Sequence, residues 1–306
     1  PQHKLIGQHV GAANQLALFP DRKRVASVGD DRQLRIWNLE TGEALATISM
    51  GTSSAEALCS VAVSPDGETV ATGSDVVQLW DVKSQKLIRK LTSFDYNVQS
   101  IAFSPSRPQI AVGSRYDRIR LLDLAGNVLA EIEDESRHES LAFTPDGQEL
   151  LIPSRRKLPH ITLGFVNVWR SDLSVVRAQL PGDSAASGPN YTLANVSPDG
   201  TFFVLGSRDG KQPIHIVDAR SKELLISLPG KHDQVNALDI SPDGKILAVA
   251  FNDGTIEYSQ LERTEAGQFL SPEKSFTLNA HAGKVNSITF ASPTELVSCG
   301  ADGQVK

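Results

Sequence analysis

Seven times along the chain an apolar residue stands just ahead of a proline-containing turn: Leu18, Val63, Phe103, Phe143, Val196, Ile240 and Phe290. These anchors lie 45, 40, 40, 53, 44 and 50 residues apart. The turns read Phe19-Pro20-Asp21, Ser64-Pro65-Asp66-Gly67, Ser104-Pro105-Ser106-Arg107, Thr144-Pro145-Asp146-Gly147, Ser197-Pro198-Asp199-Gly200, Ser241-Pro242-Asp243-Gly244 and Ala291-Ser292-Pro293-Thr294. Proline presets φ, aspartate bonds its own backbone and glycine supplies positive φ, so each is a tight strand-to-strand connection. A period near 40–45 residues with four short strands per unit is the signature of a β-propeller, and seven anchors predict an all-β, seven-bladed ring of four-stranded antiparallel blades.

The strands between the anchors alternate as half-buried sheets should, as in Val61 and Val63 followed by Val70-Ala71. Third strands are expected at Leu34–Trp37, Val77–Trp80, Ile119–Leu122, Val166–Trp169, Ile214–Val217 and Thr255–Tyr258. Outer strands are expected at Ala44–Ile48, Leu87–Leu91, Val128–Ile132, Val175–Leu180, Leu224–Leu228 and Ser275–Leu278. The seventh unit has no fourth strand of its own, and Lys4-Leu5-Ile6 stands where one would lie, so the N-terminal strand is expected to close the ring. The blades run approximately over 7–50, 51–94, 95–134, 135–182, 183–230, 231–280, and 281–306 plus 3–6, a single domain spanning 1–306. The chain stops at Lys306 while the third strand of the last blade is still running, which suggests a fragment of a longer protein.

An apolar fraction of 40% and a charged fraction of 22% fit a globular chain with a sizeable core. A net charge of −6 argues against non-specific nucleic-acid binding, which needs clustered Lys and Arg. Cys59 and Cys299 both sit in apolar runs with no Cys or His at metal-ligand spacing, and are expected to be core thiols. No apolar run reaches the length of a membrane span, so neither membrane nor nucleic acid is expected as a partner. The compartment is left open, with the cytoplasm favoured.

Trp80-Asp81 closes one third strand, and Trp37-Asn38 and Trp169-Arg170 close two others. With these dipeptides and the Gly7-Gln8-His9 start, the chain resembles the WD-repeat family of seven-bladed propellers over essentially its whole length. The resemblance implies a hydrogen-bonded set of His, Ser or Thr, Asp and Trp in each blade. Only the first blade has all four, His9, Ser27, Asp31 and Trp37; the last has His281, Ser298 and Asp302. The third blade puts Tyr116 at the Asp place and Leu122 at the Trp place. The fifth and sixth keep Asp209 and Asp253 but have Val217 and Ser259 in place of Trp, so apolar packing is expected to hold them. The plain Ser-Pro-Asp-Gly style of the turns looks like bacterial members of the family.

His9 with Asp31 and Ser27, and His281 with Asp302 and Ser298, could be taken for catalytic triads. A catalytic constellation occurs once, whereas this one recurs at corresponding blade positions, which makes it structural. No catalytic residue, metal site or cofactor is expected. His232 lies near a corresponding inter-blade position, one residue closer to its strand than His281.

What remains is surface. By the resemblance, the loops between blades and the turns between second and third strands share one rim that commonly binds peptides or proteins. The fourth blade inserts residues 154–164 there, with Arg155, Arg156, Lys157 and His160; Arg115 and Tyr116 could extend the patch, and the entry into blade five, 181–190, is another departure from the repeat. The acidic run 131–139 would neutralise the basic insertion in part. A further insertion, 262–267, is expected as a variable loop on the opposite face. The expected function is a non-enzymatic interaction platform whose partner is a protein, a peptide or a fused effector domain. The rival is a hydrolase or lyase at the central channel, which would need carboxylates and His converging from the first strands, where Ala, Val and Leu prevail.

Overall fold

The computed structural model describes residues 4–306 except 51–56, 116–117, 134–137, 159–160, 181–190, 231–233, 265–267, 271 and 273–274; for 92, 155–158 and 161–163 it describes the backbone alone. The strands form seven four-stranded antiparallel sheets arranged as a β-propeller. Blade 1 holds Ala13–Leu18, Arg24–Gly29, Gln33–Asn38 and Ala44–Ser49, and blade 2 Ser60–Val63, Thr69–Gly73, Val76–Asp81 and Leu87–Ser93. Blade 3 holds Val98–Phe103, Gln109–Ser114, Arg118–Asp123 and Val128–Glu133, and blade 4 Ala142–Phe143, Glu149–Leu158, Ile161–Arg170 and Val176–Leu180. Blade 5 holds Tyr191–Val196, Phe202–Ser207, Ile214–Asp218 and Leu224–Leu228, and blade 6 Val235–Ile240, Ile246–Phe251, Thr255–Gln260 and Ser275–Asn279. Blade 7 combines Val285–Ser292, Glu295–Gly300 and Gln304–Val305 with Gly7–Gln8 from the other end of the chain. No helix occurs among the described residues.

The Pro-Asp-Gly turns work as their chemistry dictates. The hydroxyls of Ser64, Thr144, Ser197 and Ser241 each donate to the aspartate two residues on, at 2.5–2.7 Å, and each accepts the backbone N–H five residues on. Gly67, Gly147, Gly200 and Gly244 then take φ near +70° (68° to 72°), where a side chain would be strained. Each turn therefore fixes the register of the first two strands of its blade.

Position within the blade decides polarity. Second strands are covered on both faces by neighbouring blades, and Gln109–Ser114 and Phe202–Ser207 are buried at every residue. Outer strands are half exposed, and Leu87-Ile88, Val128-Leu129 and Leu224-Leu225 project outward. Blades 5 and 6, which lack the Trp, share one cluster that includes Leu193, Phe202, Val204, Ile216, Leu247 and Val249. Burying a side chain of that size contributes roughly 1.5–3 kcal/mol.

Polar side chains tie the innermost strands into a belt that crosses every junction. In order from blade 1, Asn14 donates to Leu58 O, Ser60 to Val98 O, Ser100 to His138 O and Ser140 to Ala194 O. Asn195 donates to Asp239, Asp239 accepts from Phe290 N–H, and Asn286 donates to Ala13 O. All seven bonds are 2.7–3.0 Å long. They connect consecutive blades where apolar contact alone would permit sliding.

Ring closure differs by one step from the sequence expectation. The pairing strand is Gly7–Gln8 rather than Lys4–Ile6, with Gly7 opposite Val305 and Gln8 opposite Gln304; only the Ile6 N–H, to Val305 O at 2.8 Å, extends it backward. The reason is the Trp37 ring, which lies so close to Gly7 that a Cβ there would come within 2.2 Å of it. Closure needs a residue without a side chain at this point.

The insertion at 154–164 lengthens the two strands that it joins: the second and third strands of blade 4 are each ten residues long and stay paired from Glu149–Arg170 out to Leu158–Ile161. The first strand of the blade pairs only as far as Leu151 and the fourth only as far as Val166, so among the described residues the outer part of this hairpin has no sheet neighbour. On the opposite face, the segment after Gln260 forms a small bridge, Arg263 with Phe269, and the Arg263 guanidinium packs on the rings of Phe202 and Phe269, at 5.2 and 4.4 Å. That contact ties the segment to blade 5.

Candidate functional site

His9 leaves the closing strand and turns back over blade 1. Its Nδ1 lies 2.8 Å from Asp31 Oδ1, its Nε2 lies 2.7 Å from Ser27 Oγ, and Trp37 Nε1–H donates to the same hydroxyl at 2.8 Å. The direction of the chain follows from the donors available. Trp37 can only donate, so Ser27 accepts from it and gives its own proton to His9 Nε2, and His9 Nδ1–H donates to Asp31. This assigns the neutral Nδ1–H tautomer to His9. The charge environment agrees: burial holds the imidazole below its ordinary pKa and outweighs the attraction of Asp31. Burial disfavours ionisation of Asp31, but the bonds from His9 and from Val10 N–H outweigh it and hold its carboxyl below the usual range.

Blade 7 repeats the set. His281 lies 2.8 Å from both Asp302 and Ser298. In both blades the ring packs against the glycine that ends the second strand: a Cβ on Gly29 would fall 2.9 Å from His9 Nδ1, and one on Gly300 2.8 Å from His281 Cγ. Blade 2 keeps a fragment, Trp80 Nε1–H to Thr72 Oγ1 at 3.0 Å. Asp209 and Asp253 instead accept bonds from their own turns, at Lys211 N–H and Thr255 N–H. Ser27 is fully buried and its hydroxyl is already shared between two partners, so it presents no nucleophile to a substrate.

These bonds place the inter-blade loops and the turns between second and third strands on one face. Arg115 is exposed there, with its N–H bonded to Asn97 O. Arg155, Arg156 and Lys157 lie on the second strand of the blade 4 hairpin, whereas Tyr116, His160, His232 and the segment 181–190 fall outside the described residues. The acidic run does not act as expected at its first residue: Glu131 pairs within its own blade with Arg118 and Arg120, at 2.5 Å each.

The sequence reading missed two polar groups. One is Tyr191, whose hydroxyl bonds His215 Nδ1 in the otherwise apolar blade 5. The other is the mouth of the central channel, a cavity of about 490 Å³ that is not lined chiefly by Ala, Val and Leu. Asn14, Gln99, Asn236 and Asn286 stand on its wall with Glu139, Arg208 and Lys284. Leu16, Ala142, Leu193, Ala194, Ala237 and Leu238 of the first strands also line it, interleaved with these polar residues. Among the described residues no group of three or more metal-binding side chains occurs. Cys299 is buried, with its thiol pKa pushed up by burial, while Cys59 is half-buried beside the channel.

The model of the WD domain, G-beta repeat, matches residues 1–38, 43–81, 85–123, 222–257 and 272–306, more than half of the chain. Among curated proteins, the chain is 20% identical over 336 residues to Protein HIR1 of Kluyveromyces lactis, covering 95% of this chain and 39% of that protein. It is 26% identical over 283 residues to the nuclear distribution protein PAC1 of Arthroderma benhamiae, covering 84% and 60%. It is 22% identical over 280 residues to the autophagy-related protein 16 of Arabidopsis thaliana, covering 88% and 52%. The chain thus spans between about two fifths and three fifths of these relatives' lengths. They are fungal and plant proteins and lend no support to the bacterial style read from the turns.

Proposed function

The chain belongs to the WD domain, G-beta repeat family, and on that premise we propose that it is a non-enzymatic interaction platform that receives a protein or peptide on the face carrying the inter-blade loops. What supports this reading is the blade 4 hairpin, whose outer part has no sheet neighbour among the described residues and in which the blade's second strand carries Arg155, Arg156 and Lys157. A strand edge beside basic residues suits an extended, acidic segment of a partner. Arg115 on blade 3, and by sequence Tyr116 and His160, extend the same patch.

The names of two relatives point the same way, since nuclear distribution and autophagy are cellular processes rather than reactions. Because the chain covers only part of each relative, it acts either alone or as the recognition module of a longer protein. Exclusion of nucleic acid rests on the net charge of −6 alone. A hydrolase or lyase at the channel is less well supported. The channel hydroxyls of Ser100 and Ser140 donate to backbone carbonyls and that of Ser287 accepts the Leu16 N–H, so none of these three is shown bonded to a base.

The test is recovery of an isolated partner by the intact chain and by the variant Arg155→Glu, Arg156→Glu, Lys157→Glu. Recovery should fall at least tenfold, about 1.4 kcal/mol, with the fold unchanged. Equal recovery would remove the hairpin as the main contact.

A further inference from the structure

Five blades carry a β-bulge at the second residue of the innermost strand: Asn14, Gln99, Thr192, Asn236 and Asn286. The bulge leaves that residue out of the ladder, and in four of the five blades, at Asn14, Gln99, Asn236 and Asn286, it stands on the channel wall. Asn14 and Asn286 use their amides to reach the next blade, at Leu58 O and Ala13 O. Asn236 occupies the same place in blade 6 and is 8% exposed, yet among the described residues neither its Nδ2 nor its Oδ1 has a hydrogen-bond partner. A buried amide left open in this way costs roughly 1–3 kcal/mol. It stands on the wall of the channel mouth.

The same wall carries an unbalanced charge set. Arg208 Nε lies 2.8 Å from Glu139 Oε2, close enough for an ion pair, but the N–H is not directed at the oxygen and makes no hydrogen bond to it. Lys284, at the start of blade 7, lies within electrostatic reach of both. Burial pushes its ammonium below the ordinary lysine range, Arg208 adds to this, and Glu139 only partly opposes it. Among the described residues that line the cavity, blades 4 to 7 thus present two cations and one carboxylate, and blade 1 adds a second carboxylate, Asp30, which accepts from Ala12 N–H and from the Asn14 amide.

We propose that this wall is a carboxylate-binding subsite, in which Lys284 and Arg208 hold the carboxylate of a Glu or Asp side chain on a partner peptide and Asn236 donates its amide to it. A monoanion suits this wall better than a dianion: Lys284 and Arg208 can face one carboxylate, while the second charge of a phosphate would meet Glu139 on the same wall and Asp30 in the same cavity with no further cation among the described lining residues. The bound carboxylate would align the Arg208 N–H, satisfy Asn236 and give the Lys284 ammonium an opposite charge to offset its burial. The proposal deepens the platform reading and rests on it, but its residues are separate from the blade 4 hairpin.

The test is a nuclear magnetic resonance titration of the full chain with three probes: a blocked Gly-Glu-Gly peptide, its Gly-Gln-Gly counterpart, and inorganic phosphate. The Glu peptide should shift the Asn236 side-chain amide saturably, and both other probes should bind at least tenfold more weakly. Lys284→Gln should weaken the Glu peptide at least tenfold with an otherwise unchanged spectrum. Asn236→Leu should weaken it and also raise the melting temperature, because an unpaired buried amide is removed. No saturable shift, an equal response to the Gln peptide, or tighter binding of phosphate would overturn the assignment. The variant reversed at residues 155–157 should keep the response, so this subsite and the hairpin contact can fail independently.

Discussion

Replacing Ser27 by alanine isolates the polar network from everything around it. One hydroxyl is lost, and two buried groups lose their partner: the Trp37 Nε1–H and the His9 Nε2. Each orphaned group costs about 1–3 kcal/mol, and the volume removed is too small to add a large cavity term. Ser27→Ala should therefore destabilise the chain by about 2–6 kcal/mol. The assay is urea unfolding followed by circular dichroism, with the slope against urea checked for constancy. Trp37→Phe removes one of the two orphans in advance, so the double variant should cost less than the sum of the singles by about 1–2 kcal/mol. A Ser27→Ala cost under about 0.5 kcal/mol, or full additivity, would refute a network in which each member satisfies the next.

Gly7→Ala should push a Cβ into the Trp37 ring and cost about 1–3 kcal/mol, lowering the melting temperature, whereas the same change at half-buried Gly126, where the nearest side-chain atom is 3.4 Å away, should strain only a positive φ. Burial raises the carboxyl of Asp239 to about 6, against its bonds from Phe290 N–H, Ile240 N–H and Asn195. Because the folded pKa exceeds the unfolded one, the folded state holds the extra proton between about pH 4 and 6, and this stabilisation is lost as pH rises through that window. The stability of the parent chain relative to Asp239→Asn should therefore decline by about 2–3 kcal/mol from pH 4 to 6, measured by urea unfolding at several pH values; a difference independent of pH would contradict the burial of that carboxyl.

The architecture was legible because it is written in local chemistry. Ser64-Pro65-Asp66-Gly67 and its copies announce their turn geometry without reference to the rest of the chain, and their spacing counts the blades. The His9–Trp37 set was legible by resemblance, and its geometry follows from which atoms can donate. Three features were not legible, each for a physical reason. The closing strand slipped to Gly7–Gln8 because the position of the Trp37 ring is a tertiary fact. The 154–164 segment has no alternation to mark it as strand, although its pairing is continuous. The channel mouth gathers Glu139, Arg208, Asn236 and Lys284 from four blades, and bulges decide which side chains turn inward.

The most direct test of a platform that works through one face is amide hydrogen exchange of the full chain, alone and with its isolated partner. Protection should appear at the inter-blade loops and along the blade 4 hairpin, and should be absent from the Pro-Asp-Gly turns at residues 64–67, 197–200 and 241–244 on the opposite face. Protection confined to those turns would contradict the account.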